Sequence, residues 1–547
     1  MQIAYKSELR PGALVHRAPP DLRKDLLISG ILIFAFVSMR VWRLTAFSLD
    51  GDEIFSLLLA RGPWSALLGG AIQDAVHPPL FYALLKVWIR IGGESLLWIR
   101  LLPATISALS IAPFFLLCHE LKLSGFARNV ALGFAAFSPF AFFYSQHLRM
   151  YCLLMLTGLT SVWAFQHCLH KPVRRRLVIL CVADCVLVYT HYYGWQIVVL
   201  QFVYAFWKQR GLLRPFLINT VVVGILFSPW AWNVAKVLDG RGLEHNLGWI
   251  PRPTIRDFLW FFVDLTGLAE LPLVGKTAIA LVVIGIAVIA QRQQSVKTRL
   301  LWPCVVWIMP AGIAFLVSQL LPQSVSGDRH LVFTIWPFAI FFADSLSLFH
   351  RTSRGVSLVL LAGWAALAVR FHSLDDRKLP FDSLTISLVE RSTSEDMTAF
   401  YTLGPYVHYP FGFYIDCLKQ GNVAPFGPHL PPGHDLKQLS TRALRFQILP
   451  NSTVDSIEWA GSLWIGYEKY QAGPAFYNRE VAYKTAVEHG CQIGTELSGR
   501  DRFQSVALVA INCPPRAVGP ISIPTAHATS WRGAAEEGRR PRPRNAS

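Results

Sequence analysis

A chain of 547 residues that is 53% hydrophobic and only 16% charged, with a mean hydropathy of +0.38, carries more apolar surface than a water-facing exterior accommodates. That balance excludes an ordinary soluble enzyme. Its 51 Lys and Arg against 34 Asp and Glu give a formal net charge of +17, and the placement of that excess decides between nucleic acid and a membrane surface as partner.

In chain order, apolar stretches mostly of about 17 to 23 residues, long enough to cross a hydrocarbon core, predict eleven spans. They cover 26–44, 97–119, 126–143, 150–169, 177–193, the short 195–207, 215–235, 273–290, 300–320, 331–349 and 356–370. No small-residue processing site follows the first stretch, so it is expected to stay as an anchor. Arg10, Arg17, Arg23 and Lys24 precede the first span; Lys122 and Arg128 follow the second; Lys171, Arg174, Arg175 and Arg176 follow the fourth. Lys208, Arg210 and Arg214, then Arg292, Lys297 and Arg299, then Arg351 and Arg354 form the later clusters. If these spans are the only crossings, every cluster falls on one side, which the positive-inside rule makes cytoplasmic. The excess charge then reads as membrane topology, with no nucleic acid as partner. The run 539–544, interleaved with Pro541 and Pro543, reads as part of a disordered basic tail at 521–547.

The apolar stretch 80–91 is too short for a comfortable crossing, and Lys86 and Arg90 share one helical face, so an interfacial amphipathic helix is expected there. The stretch 54–72, broken at Gly62 and Pro63, is placed on the same surface, making 45–96 a long external loop. The unusual polar sequences then share the external face. They are Asp50-Gly-Asp-Glu53, His77-Pro-Pro79, Tyr144-Ser-Gln-His-Leu-Arg-Met-Tyr151, Tyr189-Thr-His-Tyr-Tyr-Gly194 and Gly327-Asp-Arg-His330.

This ordered set, with the aromatic pair Phe81-Tyr82 after His77-Pro-Pro, resembles the polyprenyl-phosphate-sugar-dependent glycosyltransferases of the GT-C fold, notably the bacterial relatives of the protein O-mannosyltransferases and the lipid A aminoarabinose transferases. The resemblance implies an integral-membrane enzyme that moves a sugar from a polyprenyl-phosphate carrier to a protein, lipid or glycan acceptor. Such a transfer needs a base for the acceptor proton and cations for the departing phosphate. The family places its base at the first acid of the loop pair, which implies Asp52, followed by Glu53; Asp50 is the competing assignment. A helix N-terminus there favours the ionised form. Arg149 and Arg329 are the candidate phosphate ligands, because a guanidinium meets phosphate oxygens bidentately and stays charged. His330 stands where relatives often carry Tyr and is grouped with them. His77, Gln146, His147, Tyr151 and His191 are candidates for contact with acceptor or substrate. His147 occupies a position that is usually acidic in relatives. No cofactor is certain; Asp52, Glu53, His77 and His147 offer mixed ligands for a divalent cation. Asp184, inside the fifth span, reads as a helix-packing partner rather than a catalytic group.

After residue 370 the hydropathy changes. Short apolar runs at 397–403, 462–467 and 505–511 predict strands, 476–489 a helix and 425–432 a Pro-rich loop. Cys417, Cys491 and Cys513 allow one disulfide and one thiol there if the compartment is oxidising. The expected fold is thus an all-α polytopic membrane protein of about eleven spans plus interfacial helices, with a small C-terminal external α/β domain. Its divisions are a cytoplasmic tail at 1–25, a transmembrane glycosyltransferase domain at 26–370, a periplasmic domain at 371–520 and the tail. The expected setting is a bacterial inner membrane with the active face periplasmic, and inversion at the sugar. A transporter or flippase of lipid-linked sugars is the alternative; it tends to place ionisable groups at the midplane of repeated, broken helices, a pattern not visible here.

Overall fold

A computed structural model describes residues 20–241, 250–268, 271–277, 281, 285, 300–352, 354–373, 379–392, 397–403, 405–427, 436–449, 456–459, 462–468, 484, 486–488, 490–500, 505–512 and 521–524. Among the described residues, five helical runs are long and apolar enough to cross a bilayer: Leu96–Glu120, Tyr151–His170, Arg210–Asp239, Leu301–Leu320 and Asp328–Ser347. The expected span at 126–143 is instead two helices, Gly125–Phe137 and Pro139–Gln146, bent by 57° and counting as a sixth crossing if taken as one. The cause is local. Pro139 has no N–H to continue the first helix, and Ser138 caps the second by accepting from the Ala141 N–H. Helices Pro20–Val41, Arg174–Thr190, Gly194–Lys208 and Arg354–Ser373 stand where four further spans are expected, but fall short of that test of length and polarity. The stretch 273–290, the helix at 476–489 and the loop at 425–432 lie wholly or largely outside the described residues.

Burial sorts the helices by environment. The Asp328–Ser347 run is 94% buried and forms the centre of the bundle, whereas Arg210–Asp239 is 22% buried and exposes Leu217, Val221, Ile225 and Trp232. A helix satisfies its own backbone, so an apolar outer face of this kind suits hydrocarbon. Polar groups that lie between helices are matched. Arg40 donates to Ser107 Oγ and the Ala135 and Ala136 carbonyls, and Asp184 accepts from Ser161, Gln201 and Asn219 at 2.6, 3.1 and 2.7 Å. Asp184 thereby joins four helices, the packing role expected of it.

The loop 45–96 folds as Gly51–Arg61, Trp64–Asp74 and Leu80–Gly92, with the break at Gly62-Pro63 as expected. Leu80–Gly92 is amphipathic, burying Phe81, Tyr82 and Leu85 and exposing Val87 and Ile91. Its Lys86 turns inward and caps the end of the preceding Gly51–Arg61 helix through the Ala60 and Gly62 carbonyls.

Past residue 380, helices Phe381–Arg391, Pro405–Lys419 and Leu436–Ala443 pack with a five-stranded sheet. Its strands are β1 (Thr398–Leu403), β2 (Phe446–Ile448), β4 (Ser462–Glu468), β5 (Gln492–Arg500) and β6 (Ser505–Asn512), in the order β2-β1-β4-β6-β5. β1 runs parallel to β2 and β4, and β6 antiparallel to β4 and β5. Alternation divides the faces. Phe400, Trp464, Val506, Leu508 and Ala510 join the main core, while Ala399, Tyr401, Leu463, Ile465, Val509 and Ile511 form a second one. β3 (Ser456–Trp459) pairs with β7 (Ile521–Pro524), so the first four residues assigned above to the tail are a strand. Cys491 is disulfide-bonded and Cys417 is a buried free thiol. The Tyr414 hydroxyl accepts from the Leu49 N–H at 2.8 Å, and Ser48 bonds the Leu379 carbonyl and Phe381 N–H. These bonds tie this region to the acidic turn.

Candidate active site

The acidic turn is built by its own sequence. Asp50 caps the Gly51–Arg61 helix and forms a reciprocal capping box with Glu53. Helical geometry then turns the two neighbouring acids apart. Glu53 is fully buried; its Oε1 accepts from the Leu148 N–H at 2.9 Å and its Oε2 from Arg100 Nη2 at 3.1 Å. Arg100 is itself held by the Leu44, Phe47 and Ser48 carbonyls. Asp52 faces outward with its side chain 39% exposed and meets Arg329 Nη1 at 3.3 Å.

The loop after the Pro139–Gln146 helix closes over this turn. His147 Nε2 lies 2.8 Å from Asp50 Oδ2, and its ring stacks between Phe143 and Tyr151. Arg149 is buried, directing Nη1 at the Asp52 carbonyl, Ser56 Oγ and the Tyr82 hydroxyl at 3.3 to 3.4 Å and Nη2 at His77 Nδ1 at 3.4 Å. Burial opposes its charge, but Tyr82, Asp52, Tyr151 and Asp74 outweigh that and hold its pKa above the usual arginine value. Burial raises the Tyr82 phenol, and burial together with Arg149 and Arg329 holds His77 well below the usual histidine range.

His77, His191 and His330 converge behind Arg149. Ring centroids of His191 lie 5.2 Å from both others, and His77 and His330 are 6.5 Å apart. The four residues offered above as joint cation ligands therefore divide. His147 groups with Asp50 and Glu53, and His77 groups with the other two histidines. Gln146 points away from the opening. Its Nε2 donates to the Arg40 and Trp42 carbonyls, closing the end of the first helix. Tyr151 lies in the cluster, its ring 5.2 Å from Tyr144. The structure thus gathers Asp52, Arg149, Arg329, His77, Tyr151, His191 and His330, and turns Glu53 and Gln146 inward.

Arg100, Ser56 and Asp74 belong to this assembly without having been singled out. Arg100 sits at the start of an apolar span, where an arginine reads as a headgroup anchor; nothing in its spacing points to Glu53. A hollow of about 920 Å³ lined by Leu58, Arg61, His408, Phe413 and Asp416 contains none of the clustered residues. The chemistry rests on the cluster rather than on that hollow.

No protein-family model and no curated protein sequence matches the chain. Among solved structures it is similar to ArnT from Cupriavidus metallidurans bound to undecaprenyl phosphate, at TM-score 0.51 and 13% identity over 88% of this chain and 97% of that one. Against the apo state of the same protein the values are 0.52 and 12%, over 90% and 98%. Archaeoglobus fulgidus oligosaccharyltransferase matches at TM-score 0.42 and 13% identity over 80% and 67%. Nearly the whole length of ArnT is matched, and the chain has the GT-C fold.

Proposed function

We propose that the protein is an integral-membrane glycosyltransferase that moves a sugar from a polyprenyl-phosphate donor to a hydroxyl of a protein, lipid or glycan outside the cytoplasm, with inversion. The observation that carries this reading is the half-exposed carboxylate of Asp52 paired with Arg329, with Arg149 beside it donating to the Asp52 main-chain carbonyl. Asp52 takes the acceptor proton as the acceptor oxygen attacks the anomeric carbon from the face opposite the phosphate. The anomeric C–O bond breaks with its electrons passing to the phosphate oxygen, and the two guanidiniums neutralise the charge that develops there. Glu53 serves as an anchor, holding the turn through Arg100 and the Leu148 N–H. The similarity to ArnT bound to undecaprenyl phosphate supports a lipid-linked donor. The eleven crossings and internal N-terminus expected from the sequence would leave the site and the sheet region outside, and the disulfide at Cys491 suits an oxidising compartment.

The test uses the protein reconstituted in liposomes with a radiolabelled polyprenyl-phosphate sugar and an envelope extract. Label passing to an acceptor with release of polyprenyl phosphate supports the reading. Movement of the intact labelled lipid between leaflets without bond cleavage contradicts it. A reporter fused after Arg370 is expected to be active only outside the cytoplasm; cytoplasmic activity overturns the crossing count.

A further inference from the structure

His77 stands before the Leu80–Gly92 helix, His191 ends the Arg174–Thr190 helix and His330 lies in the 3₁₀ turn Asp328–Thr334. Three separate segments thus deliver one imidazole each to the same buried point. The residues are 3%, 3% and 6% exposed, and one ring nitrogen from each lies within 4.8 Å of the other two. Each ring also keeps one buried nitrogen with no hydrogen-bond partner among the described residues: His77 Nε2, His191 Nε2 and His330 Nδ1. Buried ring nitrogens without a partner are costly. An apolar group cannot satisfy them, whereas a cation can take one nitrogen from each ring at once.

We propose that His77, His191 and His330 form a binding site for a divalent cation of the zinc type, separate from Asp52. Three imidazoles suit zinc among the common divalent ions, and three protein ligands leave a fourth position open. The surrounding charges admit the ion. Arg149 and Arg329 bring two positive charges near, and Asp52 and Asp74 balance them. The partners behind the rings set what ligation exchanges. The His330 ring reaches the Val325 backbone. Arg149 Nη2 points at His77 Nδ1 at 3.4 Å, so ligation through Nε2 exchanges that contact for one to Asp74 Oδ2, 3.9 Å away. His191 is similar. Its Nδ1 accepts from the Tyr193 N–H at 3.1 Å, so ligation through Nε2 is made at the cost of that one hydrogen bond.

Metal binding is read directly, so the site can stand or fall apart from glycosyl transfer. The full-length protein, freed of any affinity tag and stripped with chelator, is titrated with Zn²⁺ and with Co²⁺. The expected result is about one equivalent per chain, the visible d–d bands of low-coordinate cobalt, and a melting temperature that rises on Zn²⁺ addition. His77→Ala, His191→Ala and His330→Ala are each expected to weaken binding more than about tenfold, while His408→Ala leaves it unchanged. If a variant fails to fold, the wild-type cobalt spectrum and zinc-dependent melting shift still decide. Wild-type protein that takes up less than stoichiometric metal, or binding unchanged by all three substitutions, overturns the proposal.

Discussion

Asp52 and Glu53 are adjacent in sequence and opposite in physical situation. Glu53 is sealed in the core with Arg100, the Leu148 N–H and the Asp50 N–H on its oxygens. Asp52 has one cation at 3.3 Å and an open side. A buried carboxylate already saturated with donors can hold a loop in place but has no room to take a proton from a substrate. A half-exposed one can. The pair shows how a single helical step divides the chemistry from the scaffold that positions it.

The contrast can be broken from either side. Glu53→Ala leaves Arg100 buried without its counter-charge, and a loss of about 3–5 kcal/mol is expected, read as a large drop in melting temperature of the solubilised protein. An unchanged melting point would remove Glu53 from its anchoring role. Arg329→Ala acts on the other acid. Turnover of the polyprenyl-phosphate sugar is expected to fall about 10²-fold, because a cation assigned to the developing phosphate charge is gone. Its exposed pairing with Asp52 contributes no more than about 1 kcal/mol to stability, so the melting temperature should hardly move. Gln146→Ala sharpens the division within the candidate residues. It removes two bonds to the Arg40 and Trp42 carbonyls, so stability should fall by about 1–3 kcal/mol while turnover per folded molecule stays at the wild-type level. A selective loss of turnover would restore Gln146 to the substrate side. His147→Ala removes a buried ring stacked between Phe143 and Tyr151 together with its bond to Asp50, which remains the helix cap, so a stability loss of about 1–2 kcal/mol is expected, read as a small drop in melting temperature.

Much of this site is legible before any coordinates. The Asp-Gly-Asp-Glu turn, the Arg-Met-Tyr string and the histidine motifs are external, polar and out of keeping with their apolar surroundings. The direction of each side chain is not legible, because a helix starting one residue later would exchange Asp52 for Glu53 at the opening. The direction of Gln146 is hidden for a related reason: the bend at Ser138-Pro139 turns the end of its helix toward the Arg40 and Trp42 carbonyls at the end of the first helix. The meeting of His77, His191 and His330 has no signal in spacing, since more than a hundred residues of bundle separate each from the next. In the sheet, β1, β4 and β6 announce themselves by apolar runs. β5 does not. It is an edge strand whose Gln492–Arg500 sequence offers only Ile493 and Leu497 as large apolar residues, and its pairing with β6 supplies what its composition lacks.

The central claim is that Asp52 takes the acceptor proton, and Asp52→Asn measured with a radiolabelled polyprenyl-phosphate sugar tests it most directly. The expected result is a loss of turnover on the order of 10²- to 10⁴-fold with membrane insertion and melting temperature unchanged. Full turnover by that variant would contradict the account.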